Sequence, residues 1–158
     1  MATDNYEYER SLTKCEDSII EYEGSMTATT TLDKKKFSAT KVKITRYISQ
    51  DGDLLAVKGD DADWNENFLV VFIPVQEQTS GTLEVSERHV ADKATIHFNR
   101  YLGGEDPVRR YAHSGKIEFK YDKQNSTVSG SGYFEVQPND VDPGYKFENL
   151  EFLVHPAK

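Results

Sequence analysis

Hydrophobic and polar residues alternate along much of the chain, and this alternation is its strongest structural signal. In residues 116–121 every second side chain is hydrophobic and the side chains between them are charged, and in residues 41–45 two lysines and a threonine alternate with Val42 and Ile44. Successive side chains of a β-strand point to opposite faces of a sheet. A period of two therefore predicts strands with one buried and one exposed face.

Nine segments follow a strand pattern, and one of them is hydrophobic on both faces. Residues 68–75 carry no polar side chain, which predicts a central strand covered on both sides. Gly130 and Gly132 lie inside another candidate strand and indicate a bulge, a bend or a close backbone approach. The candidate strands are residues 26–32, 41–45, 54–58, 68–75, 83–86, 94–101, 116–121, 129–136 and 150–154.

Turn-forming residues separate these segments, as at residues 79–81, 122–125 and 142–144, so the sequence predicts antiparallel hairpins. About nine strands in one open sheet would leave an apolar face bare, which favours an all-β antiparallel β-sandwich or a closed β-barrel. We predict one all-β domain over residues 25–158.

Residues 1–24 are predicted to be a short N-terminal extension of the same domain. Tyr6, Tyr8 and Leu12 alternate briefly, as in a strand, whereas Leu12, Cys15 and Ile19 have helical spacing. The extension is therefore predicted to be either a helix or a strand.

The chain is acidic, with 27 acidic and 19 basic residues and a net charge of −8 at pH 7. Such a surface repels a phosphate backbone, so nucleic acid is not an expected partner. The single cysteine, Cys15, excludes an intramolecular disulfide. No motif in the sequence indicates a cofactor, and none is expected.

The sequence begins without a basic stretch followed by an apolar run, and no window approaches the roughly 20 apolar residues of a membrane helix. We therefore expect a soluble chain without a membrane span. Its location stays open between the cytoplasm, which is the default without a signal peptide, and a mature secreted form.

Three stretches of strand and turn residues give the chain a family resemblance. They are residues 31–37 (Thr-Leu-Asp-Lys-Lys-Lys-Phe), residues 114–119 (Ser-Gly-Lys-Ile-Glu-Phe) and residues 128–134 (Val-Ser-Gly-Ser-Gly-Tyr-Phe). In this layout the chain resembles a family of uncharacterised bacterial all-β domains, which are often small lipoproteins. The resemblance implies a similar fold, and it implies no site residues because that family has no established activity.

Residues 59–67 contain the densest group of oxygen ligands. Asp61, Asp63 and Asn65 have the spacing of the first three ligands of a calcium loop, but the glycine and the final glutamate of that loop are missing. The pattern favours an acidic hairpin loop, with a calcium site as the alternative. Trp64 lies in the same loop and either covers the end of the core, which is favoured, or anchors a sugar or a partner protein.

Residues 99–114 form the second segment with chemical potential. Aromatic, basic and imidazole side chains occur together there: Tyr101, Arg109, Arg110, Tyr111 and His113. Arginine and tyrosine are frequent in recognition surfaces, and long connections are often functional. An extended hairpin with its tip at residues 103–106 is an equally weighted alternative.

The four histidines do not cluster in the sequence, and no catalytic motif is present. We therefore expect a non-enzymatic β-sandwich that binds a protein or another macromolecule of unknown identity. Residues 59–67 and 99–114 are the candidate contact surfaces. A second copy of the chain is an alternative partner.

Two other functions stay open. One is a carrier of a small apolar ligand inside a lipocalin-like barrel, with a cavity lined by Phe72, Phe98, Phe119 and Phe134. The other is an enzyme whose site the fold assembles from acidic residues, His113 and tyrosines.

Overall fold

The computed structural model describes residues 4–15, 20–49, 52–75 and 79–157 of the chain. Within those residues it contains twelve strands and one short helix, which confirms the predicted all-β class. In chain order the elements are α1 (Asn5–Arg10), β1 (Thr13–Lys14), β2 (Tyr22–Thr30), β3 (Lys36–Ala39), β4 (Lys41–Ser49), β5 (Gly52–Asp61), β6 (Asn67–Pro74), β7 (Ser80–Glu84), β8 (Thr95–Arg100), β9 (Val108–Tyr111), β10 (Ser114–Asp122), β11 (Thr127–Val136) and β12 (Tyr145–Pro156).

The strands form two antiparallel sheets of six strands each, in a sandwich-like arrangement. Sheet 1 has the order β1-β4-β5-β6-β8-β9, and sheet 2 has the order β3-β2-β12-β11-β10-β7. A barrel closes only when its first and last strands pair. Within the described residues no pairing joins β1 to β9 or β3 to β7, so the closed-barrel alternative is wrong.

The predicted number of strands is also wrong, because three short strands were not among the nine predicted segments. These are β1, β3 and β9, each two to four residues long. A segment of that length gives only a weak signal of a period of two, and β9 was foreseen only in the hairpin alternative for residues 99–114. All three lie at the edge of a sheet.

The main core lies between the two sheets and is filled by inward-facing side chains from both. Phe134 and Phe147 stack with their ring centroids 4.7 Å apart, and Phe98 packs against Phe147 at 4.9 Å. Phe119 is buried in the same cluster. Phe98, Phe119 and Phe134, which were predicted to line a ligand cavity, therefore pack into the main core.

The strand that is hydrophobic on both faces is covered on both faces, as predicted. β6 lies between β5 and β8, and one of its faces enters the main core. Its other face carries Val70 and Phe72, which form a second buried cluster with Leu54 and Ala56 of β5. We call these four residues the outer cluster. Tyr8 and Leu12 from the N-terminal segment pack against it.

The N-terminal extension contains a helix followed by a very short strand. Asp4 caps α1, since its side chain accepts a hydrogen bond of 2.9 Å from the backbone N–H of Glu7. β1 then pairs with β4. Residues 16–19 of the predicted extension lie outside the described residues, and β2 begins at Tyr22. Among the described residues no helix is long and apolar enough to cross a membrane.

The two glycines of β11 lie where neighbouring groups approach closely, as their position in a strand predicted. A Cβ atom on Gly132 would lie 2.0 Å from the carbonyl oxygen of Lys116, and one on Gly130 would lie 2.3 Å from the ring of Phe152. The pairing of β11 with β12 also shifts register between Gly132 and Phe134. The predicted strand irregularity is therefore present.

Candidate functional site

Residues 99–114 lie mainly in the β8–β9 hairpin, which corresponds to the extended hairpin that the sequence predicted as one of two alternatives. β9 pairs with β8 in a register that places His97 opposite Tyr111 and Asn99 opposite Arg109. Residues two apart in a strand share a face. These four side chains therefore form a square of neighbours on the outer face of sheet 1.

A cleft of about 400 Å³ runs along the free edge of β9. We call it the arginine cleft, because three arginines line it. Its lining residues are Asp4, Asn5, Glu87, Arg88, Arg109, Arg110, Tyr111, Gln137, Pro138 and Asn139. It therefore brings together three of the predicted site residues, Arg109, Arg110 and Tyr111.

Arg110 is held in place by contacts on one side of the cleft. Its guanidinium donates a hydrogen bond to the backbone carbonyl of Gln137, and its Nη1 lies 3.3 Å from a carboxylate oxygen of Asp142. The same oxygen lies 2.6 Å from Nη2 of Arg100. One carboxylate thus balances two guanidinium groups, which leaves a positive excess at this end of the cleft.

Arg109 and Arg88 differ in how firmly they are held. Arg109 donates from Nε to Oδ1 of Asn99 at 2.8 Å, and its Nη1 lies 3.5 Å from Glu9. Arg88 is exposed, and within the described part of the chain no acidic group lies within ion-pair distance of it. Arg88 is therefore available to a ligand.

Beside the cleft, four donor side chains surround the carboxylate of Glu9 on α1. Oε2 of Glu9 accepts hydrogen bonds from Nε2 of His89 at 2.8 Å and from the hydroxyl of Tyr111 at 2.7 Å. Oε1 lies 3.5 Å from Arg109 and 3.7 Å from Nε2 of His97. We call His89, His97, Arg109 and Tyr111 the donor pocket.

The hydrogen bonds around Asn99 fix the protonation of His97. Nε of Arg109 can only donate, so it must face the amide oxygen of Asn99. The amide nitrogen of Asn99 therefore faces Nδ1 of His97, at 2.7 Å, and donates to it. This leaves the proton of the neutral imidazole on Nε2, which points towards Glu9.

Burial shifts the pKa values of two donor-pocket residues in directions that keep both neutral. Desolvation lowers the pKa of His97 well below its ordinary value, and the positive charge of Arg109 adds to this effect. Burial, with the hydrogen bond to Glu9, raises the pKa of Tyr111. The hydroxyl of Tyr111 therefore donates a hydrogen bond to Glu9, and the neutral imidazole of His97 directs its N–H towards the same carboxylate from 3.7 Å.

Trp64 lies at the end of the main core and not in the cleft. Its ring is partly buried and packs against Phe98, with ring centroids 5.5 Å apart. The ammonium group of Lys34 lies 5.8 Å from the Trp64 ring centroid. These contacts correspond to the core role that the sequence favoured.

Asp61, the first residue of the calcium candidate, is fully buried at the end of β5. Its carboxylate accepts hydrogen bonds from the backbone N–H of Ser38 at 2.9 Å and of Asp63 at 3.0 Å, and Lys34 lies 3.2 Å away. The side chains of Asp63 and Asn65 are exposed. The calcium site stays a prediction, but the carboxylate of Asp61 already has structural partners.

Tyr101 and His113, the remaining predicted site residues, do not line the arginine cleft. Tyr101 donates its backbone N–H to Asn67 at 2.9 Å, and its ring lies near Phe68. His113 donates its backbone N–H to the carbonyl of Glu135 at 2.9 Å. These contacts place both residues at the ends of the β8–β9 hairpin.

A second groove, of about 540 Å³, crosses β7, β10 and β11 on sheet 2. Hydroxyl side chains such as Ser80, Thr82, Ser129 and Ser131 line it, and Glu118 and Lys120 contribute opposite charges. The charges of its lining residues cancel, and Phe119 is its one aromatic lining residue. The arginine cleft is therefore the more distinctive surface.

Sequence reasoning missed Glu9, Arg88, His89 and His97, because Glu9 is 80 residues from His89 and only the fold brings it to the other three. His97 points away from the core, but α1 covers it and leaves it 2 % exposed. One signal was present. A strand that is hydrophobic on both faces needs a covering element on its outer side, and α1 provides it.

Comparison with known proteins adds no functional information. The chain matches no protein-family model, no curated protein sequence and no solved structure.

Proposed function

We propose that the chain is a non-enzymatic binding protein that recognises an extended acidic segment of a partner protein along β9. The observation that carries this proposal is the convergence of Arg88, Arg109 and Arg110 on one cleft beside a free strand edge. Guanidinium groups bind carboxylates with paired, charge-assisted hydrogen bonds.

The position of the cleft supports an extended ligand. Arg109, Arg110 and Tyr111 are consecutive residues of β9, and consecutive side chains of a strand point to opposite faces. A cleft that touches all three must therefore run along the edge of the strand. Such an edge presents unpaired backbone N–H and C=O groups, with which a peptide strand can pair.

The charge distribution favours an acidic peptide over a nucleic acid. The chain has a net charge of −8, whereas three arginines and two acidic residues, Asp4 and Glu87, line the arginine cleft, so the cleft carries an excess of one positive charge. A short acidic segment meets only this cleft. A nucleic acid carries phosphates along its whole length, and those beyond the cleft would meet the acidic surface.

The two other functions receive less support. The barrel that a lipocalin-like carrier requires does not form. The donor pocket gathers titratable groups as an enzyme would, but its carboxylate is paired with His89 and Tyr111, and the cavity on its His89 side, lined also by Tyr8 and Phe72, measures only about 10 Å³. That is the space of about one water molecule.

The proposal can be tested with a fluorescein-labelled peptide of alternating glutamate and valine, whose binding is followed by fluorescence anisotropy. We expect binding that weakens as salt is added. The variant Arg88→Glu should bind about tenfold more weakly, because it removes a guanidinium that forms no ion pair among the described residues and adds a like charge. Lys43→Glu is the matched control, since Lys43 is exposed on β4 and lies outside the cleft.

Two results would contradict the proposal. One is equal peptide binding by the Arg88→Glu and Lys43→Glu variants. The other is binding of a duplex DNA probe as tight as that of the acidic peptide, because that result would assign the cleft to phosphate chains.

A further inference from the structure

The N-terminal segment, residues 4–14, packs on the outer face of sheet 1 through side chains of the kind that a bound peptide would use. Asn5, Tyr8 and Glu9 make side-chain contacts at positions i, i+3 and i+4 of α1, which places them on one face of the helix. Leu12 makes a further contact just after the helix, and β1 pairs with β4. The spacing within α1 is also the pattern with which amphipathic helices bind grooves of other proteins.

Each of these side chains meets residues distant in the sequence. Asn5 exchanges hydrogen bonds with the backbone around His89, donating to the carbonyl of Glu87 at 2.7 Å and accepting from His89 N–H at 3.1 Å. Tyr8 stacks on the imidazole of His89, with ring centroids 4.4 Å apart and planes at 15°. Leu12 packs on the outer cluster.

Most of the groove beneath the segment lies on strands that pair with one another without it. The outer cluster belongs to β5 and β6, and three donor-pocket residues belong to β8 and β9. Asn99 and the strand register hold His97 and Arg109 in position independently of α1, whereas the backbone around His89 bonds to Asn5. Conversely, no residue of α1 is buried. The segment can therefore leave while the strands of the groove keep their positions.

We infer that this groove is a binding site for an amphipathic helical segment of a partner protein that carries a glutamate, and that α1 occupies it in cis. The ligand chemistry follows from the occupant. The four side chains of the donor pocket surround a carboxylate, so the ligand needs a glutamate there. An aromatic side chain of the ligand stacks on the imidazole of His89, and a leucine packs on the outer cluster. The site adjoins the strand edge proposed above: Arg109 and Tyr111 also line the arginine cleft, whereas His89 and the outer cluster lie outside it.

The test uses the full chain and a labelled synthetic peptide with the sequence of residues 4–14. A tethered segment competes at a millimolar effective concentration, so the wild-type chain should bind the free peptide weakly. The variant Tyr8→Ala weakens the tethered copy and should bind the peptide at least about tenfold more tightly than the wild type. A peptide with glutamine at the position of Glu9 should lose this binding.

Control variants distinguish peptide binding in the groove from effects of any substitution in α1 and from unfolding. Tyr6→Ala changes an exposed residue of α1, 64 % accessible, and should bind the peptide as weakly as the wild type. Adding His89→Gln to Tyr8→Ala should abolish tight binding by removing a donor and the stacking partner. Circular dichroism shows whether each variant is folded, and Glu9→Gln replaces Tyr8→Ala if the latter unfolds.

Three results would overturn the inference. The first is no peptide binding by folded Tyr8→Ala and Glu9→Gln chains. The second is displacement of the peptide by free glutamate at equal concentration, which would reduce the groove to a simple carboxylate site. The third is a wild-type dimer in sedimentation analysis that the peptide dissociates, because the occupant would then be a second copy of the chain.

Discussion

Asp61 is a fully buried carboxylate whose partners are all structural. It accepts from two backbone N–H groups, those of Ser38 and Asp63, and pairs with Lys34. Ser38 belongs to β3, an edge strand of sheet 2, whereas Asp61 ends β5 in sheet 1. The side chain therefore ties the two sheets together at the end of the sandwich.

We expect Asp61→Ala to destabilise the fold by about 2 to 3 kcal/mol, since it leaves two backbone donors without their partner. Urea unfolding followed by circular dichroism measures this loss. Asp63→Ala is the control, because its side chain is exposed and its backbone N–H is retained; it should change stability by no more than about 0.5 kcal/mol. Equal losses in both variants would contradict the role assigned to Asp61.

His97 should make stability depend on pH. Its pKa in the folded chain lies below the unfolded value of about 6.5, because of burial and then the charges of Arg109, His89 and Lys58. At lower pH the unfolded chain therefore binds a proton that the folded chain excludes. The contribution of His97 is fully present above about pH 6.5 and is lost as the pH falls below it.

Urea unfolding between pH 5 and pH 8 checks this prediction, and the variant His97→Gln should show a smaller loss of stability on acidification than the wild type. His155→Gln serves as the control, because His155 is far more exposed. If His97→Gln and the wild type lose stability in parallel, the low pKa of His97 is not linked to folding.

At the scale of elements, β11 depends on close contact with its neighbours. A Cβ on Gly132 would meet the Lys116 carbonyl at 2.0 Å, so Gly132→Ala should force the paired strands apart and cost about 1 to 3 kcal/mol or more. Gly104→Ala is the matched control, because its nearest neighbouring atom lies 4.0 Å away. Thermal unfolding compares the two variants. An unchanged midpoint for Gly132→Ala would show that the strands tolerate the added methyl group.

Long strands were predictable from the sequence, and short edge strands were not. The alternation in residues 116–121 falls inside β10, and the apolar run at residues 68–75 contains most of β6. β3 and β9 have four residues each, and their positions follow from tertiary pairing. Whether the sheets close into a barrel also depends on pairing between distant strands, which a pattern of period two does not encode.

The candidate site was predictable only in part, for the same reason. Arg109, Arg110 and Tyr111 are adjacent in the sequence and were found together. Arg88 and Glu9 reach the same region through the fold alone. The pairing of His97 with Tyr111 would have followed from the hairpin alternative, because its register fixes which residues are opposite.

At the scale of the whole molecule, the hydrophobic clusters divide the structure into two layers of unequal size. The main core joins both sheets and contains most of the buried aromatic side chains. The outer cluster has four buried residues and is covered by the N-terminal segment and by Tyr47 and Phe68. Regions with few buried contacts open locally at lower free energy than the core. The N-terminal layer is therefore expected to open first.

Hydrogen exchange tests this order of opening. α1 has six residues, fewer than the roughly 12 to 15 that an isolated helix needs, so its amides depend on the attachment of α1 to sheet 1. We expect the amides of α1 to exchange much faster than those of β12, which pairs with β2 and β11. Glu9→Gln removes charge-assisted contacts of about 1.5 to 3 kcal/mol, which corresponds to roughly ten- to hundredfold faster exchange in α1.

The same variant should leave exchange in β12 unchanged, because Glu9 makes its ion pairs and hydrogen bonds on the outer face of sheet 1. Tyr6→Ala is the control for α1, since the Tyr6 ring is largely exposed. Mass spectrometry of peptic fragments resolves both regions in one experiment. If α1 and β12 exchange at one common rate, the N-terminal segment unfolds only with the whole domain, and the outer layer is a fixed part of the sandwich.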